Sequence, residues 1–135
     1  MELNQLLERI DANRQRIKER RPLTPAEIKE LDQYYKIGIT YSSNALEGNS
    51  LTLAETKVLL EDGITVGGKP IRDCYEATGH AKAYDFMLTI ARSKELSLTE
   101  KMICRLHFLF YNAIDNEQAG CYRDGQVFIT GTEYV

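Results

Sequence analysis

Cysteine is scarce in this chain of 135 residues: Cys74, Cys104 and Cys121 are widely spaced, odd in number and form no CxxC pair. The two histidines, His80 and His107, do not stand at ligand spacing from them. That argues against a zinc site and against a disulfide framework, and makes a reducing cytoplasm the expected setting. Long apolar runs are missing as well. Met1 leads straight into a polar amphipathic segment with no signal-peptide character, so no membrane partner is expected. Neither GxGxxG nor GxxxxGK[ST] occurs; Gly67-Gly68-Lys69 is followed by no Ser or Thr and reads as a turn rather than a phosphate loop. An excess of positive charge is also lacking, since the formal net charge is −3 and the pI about 5.4. Nucleic acid is therefore not an expected partner. The basic cluster Arg14, Arg16, Lys18, Arg20 and Arg21 is interleaved with Glu19 and reads as a solvated helix face. A DNA-binding domain built on Thr24 to Gly48 meets the same objection.

With repeats, low-complexity tracts and dividing linkers absent, what remains has the size of one domain and ordinary globular composition, 43% hydrophobic and 27% charged. Leu3, Leu6, Leu7, Ile10 and Ile17 recur at helical spacing and predict a first helix from about Glu2 to Arg20, ended by Arg21-Pro22. Thr24, Pro25 and Glu27 form a capping box that opens a second helix carrying Ile28, Leu31, Tyr35, Ile39 and Leu46 to a stop at Gly48. Thr52 and Glu55 make another box, opening a short helix that Gly63 closes. Ile64 to Ile71 reads as a tight connection, or a small β-hairpin turning at Gly67-Gly68. From Arg72 to about Ser93 the apolar positions fit a helix buried on more than one side, with Gly79 marking close approach of a neighbour. Ser97 and Glu100 predict a third box and a helix to about Ile114. His80 and His107 read as packing or surface residues, not bases. Asp124-Gly125 gives a turn before a strand at Val127 to Thr130.

The stretch Thr40 to Leu53 is where the chemistry concentrates. Gly48 and Asn49 suit a helix C-terminus. Glu47 then stands at the negative end of the helix dipole, where an anion is disfavoured by roughly 0.3–1 kcal/mol. Ser43, four residues earlier, shares its face and can hydrogen-bond the carboxylate. A helix end needs its glycine, not that glutamate. Ser43-x-x-x-Glu47-Gly48-Asn49 followed by Leu51-Thr52-Leu53 resembles the inhibitory-helix segment, [S/T]xxxE[G/N], of the Fic family. The likeness continues through Glu55-Thr56, Leu59-Leu60, Gly63 to Pro70, Glu76-Ala77, His80-Ala81, Gly120 to Arg123 and Val127 to Gly131. It thus covers most of the chain from about Tyr41 onward. The family's catalytic HxFx(D/E)GNGR segment should follow the last of these landmarks, and no such segment occurs among the 135 residues.

The resemblance implies a mainly α fold, a Fic-like helical bundle with one or two small β-hairpins, here incomplete. Residues 1–50 would be N-terminal helices including the inhibitory helix, and 51–135 the first part of the Fic-like domain with its flap hairpin. It implies an autoinhibited protein adenylyltransferase that transfers AMP from ATP to a Ser, Thr or Tyr hydroxyl of a target protein. ATP and Mg²⁺ are expected for a complete family member, and neither is expected to bind this chain tightly alone. No catalytic residue is assigned. Glu47 would pair with the arginine that otherwise binds the γ-phosphate, with Ser43 bracing it and Gly48 and Asn49 ending its helix. Val127, Phe128, Ile129 and Thr130 would form the flap edge that pairs with an extended target segment. Val127 and Ile129 would point to one side and Phe128 to the other. Whether Phe128 faces the target or packs the hairpin stays open, as does self-association. The alternative is a non-catalytic module that supplies its glutamate-bearing helix in trans; the presence of the flap segment favours the first reading.

Overall fold

The computed structural model describes residues 3–65, 67–93, 97–126 and 131. Five helices are present among them: α1 (Leu3–Glu19), α2 (Pro25–Leu46), α3 (Leu53–Asp62), α4 (Ile71–Arg92) and α5 (Glu100–Tyr111). The protein is mainly α, as its periodicities predict. The chain divides into two compact units, Met1–Tyr34 and Tyr35–Val135.

The first unit holds α1 and the opening turns of α2. The stripe on α1 exists, yet none of its residues is buried; Leu3, Leu7, Ile10 and Ile17 remain exposed. At the start of α2 the expected capping box is formed. The Thr24 N–H and hydroxyl both donate to Glu27 Oε2 at 2.8 Å, and the Glu27 N–H returns a bond to Thr24 Oγ1 at 3.3 Å. These bonds to the ionised form hold the Glu27 carboxyl below its ordinary range.

The second unit contains the rest of α2, then α3, α4 and α5. Helix α3 opens on the Thr52–Glu55 box and ends at Gly63, which takes the left-handed conformation at φ +70°. Leu51, Leu59, Cys74 and Ala77 form a buried cluster between α3 and α4. Helix α4 is indeed buried on more than one side, because Gly79 faces α5 and carries the expected close approach. A β-carbon there would come within 2.2 Å of the Phe110 carbonyl oxygen. Three inter-helix contacts order the remaining packing. Lys36 meets Asp85, Thr40 meets His80, and Asn49 meets Asp73 and Glu76. Rising numbers on one side pair with falling numbers on the other, so this half of α2 runs antiparallel to α4.

One expectation requires correction. Helix α5 is capped by Thr99, whose side chain accepts from the Met102 N–H, and not by Ser97, so the helix starts at Glu100 and ends at Tyr111. Two hydroxyls stood in competition there, and the one adjacent to the first helical residue prevails. In the connection after α3, Gly67 and Gly68 form a turn, in keeping with the tight connection read there, and no strand occurs among the described residues. Pro70 has no N–H to give a ladder, and the Lys69 side chain ties the connection to the Ser50 carbonyl and to Glu55. The flap residues Val127, Phe128, Ile129 and Thr130 lie outside the described residues.

Candidate functional site

The end of α2 is a main-chain construction. Gly48, at φ +93°, donates to the Ala45 carbonyl at 3.1 Å, and the Asn49 N–H reaches back to the Asn44 carbonyl at 3.0 Å. This pair of bonds, five-to-two and six-to-one, is the Schellman arrangement, with Gly48 in the position that only glycine occupies cheaply. Glu47 is the capping residue itself, just past the last helical residue Leu46, and its N–H donates to Asn44 O at 3.1 Å. Its carboxylate is exposed. Among the described residues it has no hydrogen bond or ion pair, and Ser43 shares none with it. The four-residue spacing that would align the two holds only inside a helix, and Glu47 has left it.

Immediately after the cap the chain is fastened to α4. Asn49 Nδ2 donates to the Asp73 carbonyl and to Glu76 Oε2, both at 3.0 Å, while Asn49 Oδ1 accepts from the Leu51 N–H at 3.0 Å. The Ser50 N–H donates to Asp73 Oδ2 at 2.8 Å, and the Ser50 hydroxyl donates to the same oxygen. Asp73 is buried in the first turn of α4, where the helix N-terminus also favours a carboxylate. Lys69 Nζ donates to the Ser50 carbonyl and lies 3.3 Å from Glu55 Oε2. Glu55 is held below its ordinary range, first by the Thr52 N–H it accepts. Arg72 pairs with Glu76 at 2.9 Å, and that bond raises the guanidinium's affinity for its proton.

Higher on α2 lies a second attachment. Thr40 is fully buried, and its Oγ1 stands 2.9 Å from His80 Nδ1. The His80 ring meets Phe110 of α5 edge-on at 6.4 Å between centroids. Burial lowers the His80 pKa below its ordinary value, which favours the neutral ring.

Other sequence-derived candidates resolve as follows. His107 accepts the Gly120 N–H on Nδ1 at 3.0 Å and stacks on Tyr111, a structural role. It lines an open groove of about 710 Å³ with Ile103, Cys104 and residues 120–123, which does not include Glu47. Cys74 is buried, and its thiol is pushed up in pKa by desolvation. Among the described residues no group of three or more His, Cys, Asp and Glu could hold a metal ion. No helix among them is long and apolar enough to cross a membrane. Sequence reading brought Glu47, Gly48 and Asn49 to one helix end, and singled out Glu76 and His80 only as landmarks of the resemblance, but missed Asp73, Thr40 and the pairings that join these residues to α2 and its cap. Of the two residues missed, Asp73 left a signal, an acidic residue in a first helical turn.

The fold and this helix end define a helical domain in which a capped helix presents a carboxylate beside a polar fastening. The chain is 33% identical over 90 residues to Protein adenylyltransferase Fic of Nematostella vectensis, covering 67% of this chain and 21% of that protein. It is 32% identical over 91 residues to the protein of the same description in Drosophila melanogaster, covering 67% and 18%. The chain thus spans about a fifth of the curated relatives it matches. A Fic domain containing signaling protein from Bacteroides thetaiotaomicron superposes with a TM-score of 0.64 at 35% identity, over 69% of this chain and 35% of that one. Fic-1 from C. elegans gives a TM-score of 0.72 at 27% identity, over 93% and 40%. No family model matches the chain. By sequence and by fold, the chain belongs to the Fic family.

Proposed function

We propose that this chain is the helix-bearing regulatory region of an autoinhibited Fic protein adenylyltransferase, which transfers AMP from ATP, with Mg²⁺, to a hydroxyl side chain of a target protein. In this reading Glu47 is the inhibitory residue. Its carboxylate competes with the γ-phosphate of ATP for one guanidinium of the catalytic segment, and a bidentate Arg–carboxylate pair is strong and oriented enough to compete. Ser43, Gly48 and Asn49 form its setting. Val127 to Thr130 supply the edge that an extended target segment joins by main-chain hydrogen bonds. The reading includes a cytoplasmic location and a protein target, without nucleic acid or membrane.

One observation supports this above the rest. The Schellman bonds leave a carboxylate as the capping residue of α2, exposed and, among the described residues, unpaired. The helix terminus makes that placement unfavourable by roughly 0.3–1 kcal/mol. A local cost of this kind fits a side chain whose partner is a cation. In an adenylyltransferase that contains this region, Glu47→Gly and Glu47→Gln are expected to raise auto-AMPylation from ATP well above the parent rate. Equal labelling of parent and both variants would refute the assignment.

A further inference from the structure

The attachment at Thr40 is connected to Glu47 by an unbroken hydrogen-bonded path. His80 Nδ1 and Thr40 Oγ1 are 2.9 Å apart. The Thr40 carbonyl accepts from Asn44 Nδ2 at 2.9 Å, and Asn44 is itself buried. The Asn44 carbonyl then accepts the N–H of Glu47 at 3.1 Å and of Asn49 at 3.0 Å. The two steps along the chain from Thr40 to Asn44 and from Asn44 to Glu47 are each about one helical turn. The far end is anchored in α4, with Phe110 of α5 against the ring. We propose that His80 is a positioning residue for the inhibitory end of α2: its hydrogen bond to Thr40 fixes the turn from which Asn44 holds the backbone of Glu47. The inference rests on the reading of Glu47 given above, but its first test does not.

A fully buried hydroxyl and a part-buried imidazole nitrogen stand within hydrogen-bond distance of each other here. Removing one leaves the other unpaired, whereas removing both is mild. His80→Leu deletes the tie while filling the site, and the Thr40 hydroxyl can still turn back onto its own helix, so the fold survives. In His80→Asn the side-chain amide nitrogen stands where Nδ1 stood, and the tie is kept.

Amide hydrogen exchange on this chain reads the outcome at Glu47, Gly48 and Asn49, whose N–H groups are all hydrogen-bonded. His80→Leu is expected to lower their protection about tenfold while leaving the Leu59 region of α3 within twofold. Thr40→Val should do the same, the Thr40→Val, His80→Leu double variant should lose less than the sum, and His80→Asn should stay within about threefold of the parent. Unchanged protection in His80→Leu, an equal loss in His80→Asn, or a loss spread evenly over the chain would each overturn the proposal. In an adenylyltransferase containing the region, His80→Leu should raise auto-AMPylation and add nothing to Glu47→Gly. A silent Glu47→Gly would sink the inhibitory reading alone, leaving exchange to decide the tie. An active Glu47→Gly beside a silent His80→Leu would sink the positioning role.

Discussion

Two glycines lie in the interior of long helices in the second unit, and alanine at each should act in opposite directions. Around Gly38 nothing lies within 4 Å of the place where a β-carbon would stand. Gly79 is different. The new carbon would be 2.2 Å from the Phe110 carbonyl oxygen, 2.9 Å from its carbonyl carbon and 3.1 Å from its α-carbon, where ordinary contact begins at 3.4 Å. All three atoms are main chain inside α5, so no rotamer change relieves the clash. Helices α4 and α5 must instead part by about 1 Å, thinning the contact between them. Inserting a methylene into a packed site costs typically about 1–3 kcal/mol, and a backbone obstacle places this one near about 3. Helix propensity returns about 1 kcal/mol. Gly79→Ala should therefore lose about 2 kcal/mol, lowering the melting midpoint by about 8 °C for a unit of this size. Gly38→Ala meets no obstacle and should gain about 0.5–1 kcal/mol, raising the midpoint by a few degrees. Thermal unfolding followed by far-UV circular dichroism measures both. A Gly79→Ala midpoint equal to or above the parent would refute the packing argument, whatever Gly38→Ala does.

Removing Asn49 should be costly although its side chain is small. Asn49→Ala leaves the Leu51 N–H and the Asp73 carbonyl without their partner, a loss of about 1–3 kcal/mol in chemical denaturation. Stability should also depend on pH through His80. Its folded pKa lies below the ordinary 6.5, so the unfolded chain takes up the proton more readily. The contribution is complete above about 6.5 and declines as the pH falls from there through the folded value. In His80→Asn that part of the pH slope should vanish; an unchanged slope would assign the dependence to other groups.

Local signals were the readable ones. Thr24 with Glu27, Thr52 with Glu55, and the closing glycines Gly48 and Gly63 each act over three to five residues, and each appears in the structure as its pattern predicts. Gly79 was legible for a related reason, since glycine costs a helix interior about 1 kcal/mol and a close neighbour is one reason to keep it, although Gly38 shows that such a glycine can also stand in open space. The misread cap at Ser97 shows the limit of that kind of signal: with Thr99 two residues on, spacing alone could not choose between hydroxyls. Long-range partners left no trace in order of residues. Asn49 finds Asp73 and Glu76 across 24 and 27 positions, and Thr40 finds His80 across 40. Those meetings follow from α2 lying antiparallel to α4, which periodicity does not encode. The Ser43–Glu47 bond does not occur among the described residues: the spacing argument needs both residues inside the helix, and α2 ends at Leu46.

The cap at Gly48 has a practical consequence. Among the described residues, every bond that fixes residue 47 in space belongs to peptide groups and none to its own side chain, so the position works as a socket with an interchangeable occupant. A glutamine, an alanine or a lysine set there would stand in the same spot and differ only in what it offers. Few places in a chain let the charge of one group be varied with its location held constant, and here the backbone provides that control unaided.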